Sequence, residues 1–183
     1  MTDLAAITAP FFPALADLGE FAPIAPSAMP DDYRTLLAHD DHMTVTVEAF
    51  HGSLVDVRVL QEYRDDEVYS RASLLTLQSN GRIVQLGVMR IKLQGLSDAV
   101  RSEIESRRAP LGRILIRHNV LRHVELHRLW RILPGPVLQK YLVAEAPALQ
   151  TLPPSEPQYI YGRSAGIIVE GRPAVELLEI VNV

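Results

Sequence analysis

Residues 67–93 read EVYSRASLLTLQSNGRIVQLGVMRIKL. Two runs that alternate apolar and polar residues flank QSNG, a turn signal that folds one strand back on the next. Upstream, MTVTVEAF (43–50) and LVDVRVLQEY (54–63) alternate in the same way around HGS. They predict further strands, so three or four antiparallel strands form a meander. At the C-terminal end, YIYGRSAGIIV (159–169) and AVELLEIVNV (174–183) flank EGRP and predict a last hairpin.

Between these blocks the period changes. LSDAVRSEIESRR (96–108) places Val100 and Ile104 at helical spacing, with Ser97 able to cap the first turn. APLGRILIRH (109–118) begins a second helix, with Pro110 suited to its first turn. HVELHRLWRI (123–132) is expected as a strand that ends before Pro134 and Gly135, and 144–158 as an irregular connection. PDDYRTLLAHDDH (30–42) predicts a short helix with Asp31 as its cap. Prolines at 10, 13, 23, 26 and 30 prevent a long helix near the start, leaving at most a short one near 13–19. The expected organisation is a proline-rich arm over 1–30 laid on one domain over 31–183. Strands, then helices, then strands imply an α+β fold: an antiparallel β-sheet with helices on one face.

A chain of 183 residues with 48% hydrophobic and 22% charged residues can build one ordinary core. Its net charge of −4 and the absence of any Lys/Arg run argue against nucleic acid as a partner. It has no cysteine, which excludes disulfides, thiolate catalysis and Fe–S clusters. The N-terminus lacks a basic start and carries Asp3, and no apolar run approaches a membrane span, so no membrane partner and a cytoplasmic location are expected. His39 to His42 and the His123, Glu125, His127 series lack a second cluster with clear ligand spacing, so no metal is expected.

Four charged residues fall on strand faces that are otherwise partly apolar. Glu179 shares a face with Val175, Leu177, Val181 and Val183: it is either solvated at a fraying edge or a buried carboxylate in an apolar pocket. Arg71 shares a face with Tyr69, Ser73 and Leu75; it either snorkels to water or awaits an anion. Arg163 lies opposite Glu179 if the last hairpin has an odd loop over 170–172, and on the other face if the loop is even. Arg90 lies on the face of Val84, Leu86 and Val88, where an exposed arginine is the plain alternative.

In their order along the chain, LLAHDDHMT, SRASLL, APLGR, GRS and EGRP followed by a Glu-bearing strand resemble the chorismate lyase family, including its divergent bacterial and archaeal branch. The resemblance runs from about residue 30 to the end and rests on order and spacing. It implies a cofactor-independent lyase that converts chorismate to 4-hydroxybenzoate and pyruvate, with the ligand enclosed beneath helix-turn-helix flaps. It implies that Arg71 grips the ring carboxylate and that Glu179 faces the C4 hydroxyl and is the catalytic residue. Leu111 and Met43 match pocket-lining positions whose backbone N–H groups lie near the carboxylate. Arg163 matches the arginine of the GR motif. A polar position on the fourth strand falls on Val88, so Arg90, two residues on, is the expected substitute for meeting the enolpyruvyl carboxylate. The resemblance also implies a monomer or weak homodimer. The alternatives are a non-catalytic protein that binds a small aromatic acid on the same fold, and a related enzyme acting on another cyclic carboxylic acid.

Overall fold

The structure, a computed structural model, describes residues 3–120, 122–145 and 157–183. Its centre is a seven-stranded sheet in the order β1-β5-β6-β7-β4-β3-β2, with every neighbouring pair antiparallel. The strands are β1 (Gly19–Pro23), β2 (Val55–Arg64), β3 (Val68–Leu77), β4 (Ile83–Lys92), β5 (Arg122–Pro134), β6 (Ile160–Val169) and β7 (Arg172–Val181). The helices are α1 (Leu4–Thr8), α2 (Asp31–Leu37), α3 (Met43–His51), α4 (Asp98–Glu105), α5 (Leu111–Arg117) and α6 (Pro136–Tyr141). The fold is α+β, as expected. Among the described residues no helix is long and apolar enough to cross a membrane.

The predicted β3–β4 hairpin is present, with Gly81 in the left-handed conformation that its turn requires. The connection expected over 144–158 lies mostly outside the described residues. Ser97 caps α4 by accepting from the Val100 amide. Pro110 stands one place before α5 and Asp31 one place inside α2, so Pro30 rather than Asp31 is the cap of α2.

One expected strand is a helix. MTVTVEAF alternates locally, yet α3 buries Met43, Thr44 and Val47 while Val45 is 50% exposed. A strand would have placed Val45 and Val47 on one face; the helix separates them. It ends at Gly52 in the left-handed conformation, a common helix stop. Packing of Met43 and Val47 against Leu36, Leu37, Leu75 and Val181 outweighs the weak strand preference of the β-branched residues.

The arm is also more integrated than expected. The short helix allowed near 13–19 is a single 3-10 turn at Leu15–Asp17, and it is followed by strand β1 paired to β5. A Cβ on Gly19 would lie 2.3 Å from the Leu133 carbonyl oxygen, so only glycine lets the two backbones close at that corner. α2 to α5 stand on one face of the sheet, against Leu75, Met89, Ile167 and Leu177. No helix was expected on the opposite face. It is covered by α1, α6 and the residues just after them, which pack Leu4, Ile7, Phe11, Leu138 and Leu142 on Leu74, Leu86, Val88, Leu178 and Ile180.

β7 lies in the middle of the sheet, between β6 and β4. Its hairpin with β6 has an even, two-residue turn at Glu170 and Gly171, both left-handed. Alone, that turn would have put Arg163 and Glu179 on different faces. The unpaired Ala174 forms a bulge that adds one residue to β7, and Arg163 and Glu179 end up directly opposite. The pairing expected of an odd loop is reached by an even turn plus a bulge.

Candidate functional site

On the face covered by α2 to α5, odd-numbered residues of β3, β4, β6 and β7 point toward the helices. Three rows cross the sheet. Arg71, Met89, Leu177 and Ala165 form one; Ser73, Gly87, Glu179 and Arg163 form the next; Leu75, Gln85, Val181 and Tyr161 form the third. Above the first two rows lies a cavity of about 60 Å³, partly open to solvent rather than sealed. Its roof is the start of α3, His42 to Thr44, and the start of α5, Pro110 to Gly112. The two helix starts approach so closely that a Cβ on Gly112 would lie 3.2 Å from the Thr44 hydroxyl, which explains the glycine in APLGR.

Arg71 and Glu179 both line this cavity, two strands and one pleat step apart, which places their backbones about 12 Å from one another. Arg71 is 2% exposed. Its two terminal nitrogens donate long hydrogen bonds to the carbonyls of Ile104 and Ala109, 3.5 and 3.4 Å away, and its buried Nε–H has no partner. Burial pushes the guanidinium below its ordinary value, while Tyr69 and Glu62 favour its charge. Glu62, however, is held by Arg107 at 2.9 Å and by the Tyr69 hydroxyl at 3.0 Å. Among the described residues no carboxylate forms an ion pair with Arg71. A buried cation without a counter-ion is costly, and this one faces an apolar cavity.

Glu179 is buried because β7 is a central strand, which removes the solvated-edge alternative. The Nε–H of Arg163 donates to its Oε2 at 2.7 Å. Arg163 is 1% exposed; it also donates to the carbonyls of His39 at 2.8 Å and Asp41 at 3.1 Å. The arginine therefore ties the carboxylate to the α2–α3 loop that carries His42 over the cavity. His42 lines the cavity and contacts Arg122; burial first, then Arg122, hold its pKa below the usual value, so it is neutral at neutral pH.

Met43 and Leu111 line the cavity as the first residues of α3 and α5. Arg90 does not reach it. Met89 pairs with Arg71 across β3–β4, so the even residues of β4 point to the opposite face. Arg90 is exposed there, 3.7 Å from Glu176. Val88 packs its side chain in the core of that same opposite face. The β4 residues on the cavity side are Gln85, Gly87 and Met89, and none of them was singled out from the sequence. Ser73, His42 and Gly112 complete its polar and close-packed parts.

No family model matches this sequence, and no curated protein does. Solved structures similar to it include PhnF from Mycobacterium smegmatis, 13% identical with a TM-score of 0.48 over 79% of this chain and 64% of that one. The effector domain of the same PhnF is 12% identical, with a TM-score of 0.45 over 78% and 88% of the two chains. A GntR-family transcriptional regulator from Bacillus cereus is 10% identical, with a TM-score of 0.41 over 69% and 90%. This chain spans 64% of the length of the full PhnF chain.

Proposed function

We propose that the cavity binds a small ring-bearing carboxylic acid, with Arg71 as the anchor of its carboxylate. The observation that carries this is the buried guanidinium, without a counter-ion among the described residues, at one end of a largely apolar cavity whose other end presents the Glu179 carboxylate. An acid bound between them pairs its carboxylate with Arg71 and turns a hydroxyl toward Glu179.

Within this class we take chorismate as the ligand that uses both ends, and conversion to 4-hydroxybenzoate and pyruvate as the reaction. The C3–O ether bond breaks and its electron pair leaves on the enolpyruvyl oxygen. The hydrogen on C4 departs as the ring becomes aromatic, and the enolpyruvyl methylene takes up a proton to give pyruvate. The C4 hydrogen passes either directly to that methylene in a six-membered cyclic step or through Glu179 acting as a base. Aromatisation drives the step, so the protein supplies orientation and charge placement.

A second reading, a binder that does no chemistry, draws on two observations. Arg163 already neutralises Glu179, which weakens it as a base, and Arg90 lies outside the cavity. Mixing the protein with chorismate and assaying pyruvate separates the two. Steady pyruvate release supports the lyase. Tight calorimetric binding of 4-hydroxybenzoate without pyruvate release supports the binder and removes the lyase. Absence of both removes the site. If the lyase holds, Glu179→Gln is expected to lose pyruvate formation by about 100-fold or more, the scale of a positioned acid–base group, while keeping the fold. Wild-type turnover in that variant would remove Glu179 from the chemistry.

A further inference from the structure

Gln85 has a buried side-chain amide oxygen without a hydrogen-bond partner among the described residues. The residue is 5% exposed and lines the cavity. Its direction is set by its neighbour. Gly87 has no side chain, and the Gln85 amide folds back over it: Nε2 lies 3.4 Å from where a Cβ of Gly87 would stand, and the Ser73 hydroxyl lies 3.9 Å from the same point. Gly87 is paired directly with Glu179 across β4–β7. The amide therefore reaches out of its own row into that of Glu179, flanking the carboxylate from the neighbouring strand.

The two ends of the cavity differ in kind. The Arg71 end offers the guanidinium N–H donors. The Glu179 end offers carboxylate, amide and hydroxyl oxygens and the amide N–H, beside the Arg163 guanidinium, whose donors are engaged by Glu179 and the carbonyls of His39 and Asp41. A carboxylate on the ligand would serve the amide N–H and leave Oε1 unpaired. A hydroxyl both donates and accepts, so it serves the amide whichever way that group is turned. Because Gln85 stands beside Glu179 and not in line between Glu179 and Arg71, a ligand that meets both must carry polar atoms on neighbouring ring positions.

The structure assigns Gln85 as a specificity-determining residue: it binds a polar substituent adjacent to the one facing Glu179, so the preferred ligands are ring acids oxygenated at both the 3 and 4 positions. This rests on the placement of the acid's carboxylate at Arg71.

The test is calorimetric titration of benzoate, 4-hydroxybenzoate and 3,4-dihydroxybenzoate into the wild type and into Gln85→Leu. The wild type is expected to bind 3,4-dihydroxybenzoate at least about fivefold more tightly than 4-hydroxybenzoate, the gain from pairing a buried amide. In Gln85→Leu this ratio falls below about twofold. Without ligand, the variant melts about 2–4 °C higher, because leucine removes an unpaired polar group from an apolar wall. A ratio unchanged in the variant overturns the assignment, as does a wild type that binds all three acids equally. If the wild type binds none of them, the Arg71 placement and the Gln85 assignment fall together.

Discussion

Arg71→Met is expected to abolish most carboxylate binding while leaving the protein at least as stable as the wild type. A charged hydrogen bond contributes about 1.5–3 kcal/mol, so losing the pair to a bound carboxylate weakens affinity by at least tenfold. Stability moves the other way. Arg71 is fully buried, has no ion-pair partner among the described residues, and holds its two carbonyls only at 3.4 and 3.5 Å. Methionine fills much of the same volume and carries no charge to desolvate. Calorimetry with 4-hydroxybenzoate and thermal unfolding of the free protein measure the two effects. Unchanged affinity removes Arg71 from the site. A fall of many degrees in melting temperature makes it a structural arginine instead.

Arg163→Met is expected to do the reverse, acting first on stability. Its removal leaves Glu179 as a lone buried carboxylate and takes the donors from the carbonyls of His39 and Asp41. Breaking a buried pair from one side costs about 3–5 kcal/mol, or roughly 6–20 °C in a chain of this size. The double variant Arg163→Met with Glu179→Leu recovers much of that loss, since replacing both partners of a buried pair by apolar groups is often close to neutral. Equal melting temperatures in the single and double variants would show that Arg163 acts through the loop and not through Glu179; a cycle of four proteins separates the two.

The parity of Arg71 and Glu179 was legible from alternation, because each is the polar exception on a mostly apolar strand face. Their shared cavity was expected only through the resemblance and not from alternation, since it depends on β7 entering between β6 and β4 rather than staying at an edge. β4 misled for a different reason. Helices cover both faces of the sheet, so Leu86 and Val88 look no more internal than Gln85, Gly87 and Met89, and hydrophobicity cannot say which face meets the cavity. Following the Val88 face led to Arg90; the partnership of Met89 with Arg71 identifies the other set. In α3, alternation spoke for a strand, and the contrary signal was Gly52 at its end. In the arm, five prolines hid a single short strand.

The bulge at Ala174 makes the hairpin tip unequal in what heredity can change there. Substitutions at Glu170 or Gly171 alter only how readily the tip turns, whereas losing a single codon at Ala174 would exchange the inner and outer residues of everything that follows. Glu179 would then face α1 and α6, and Leu178 and Ile180 would face the cavity. The letters at that tip can therefore change at a cost to the turn alone, whereas a change in its length carries a carboxylate from one side of the sheet to the other.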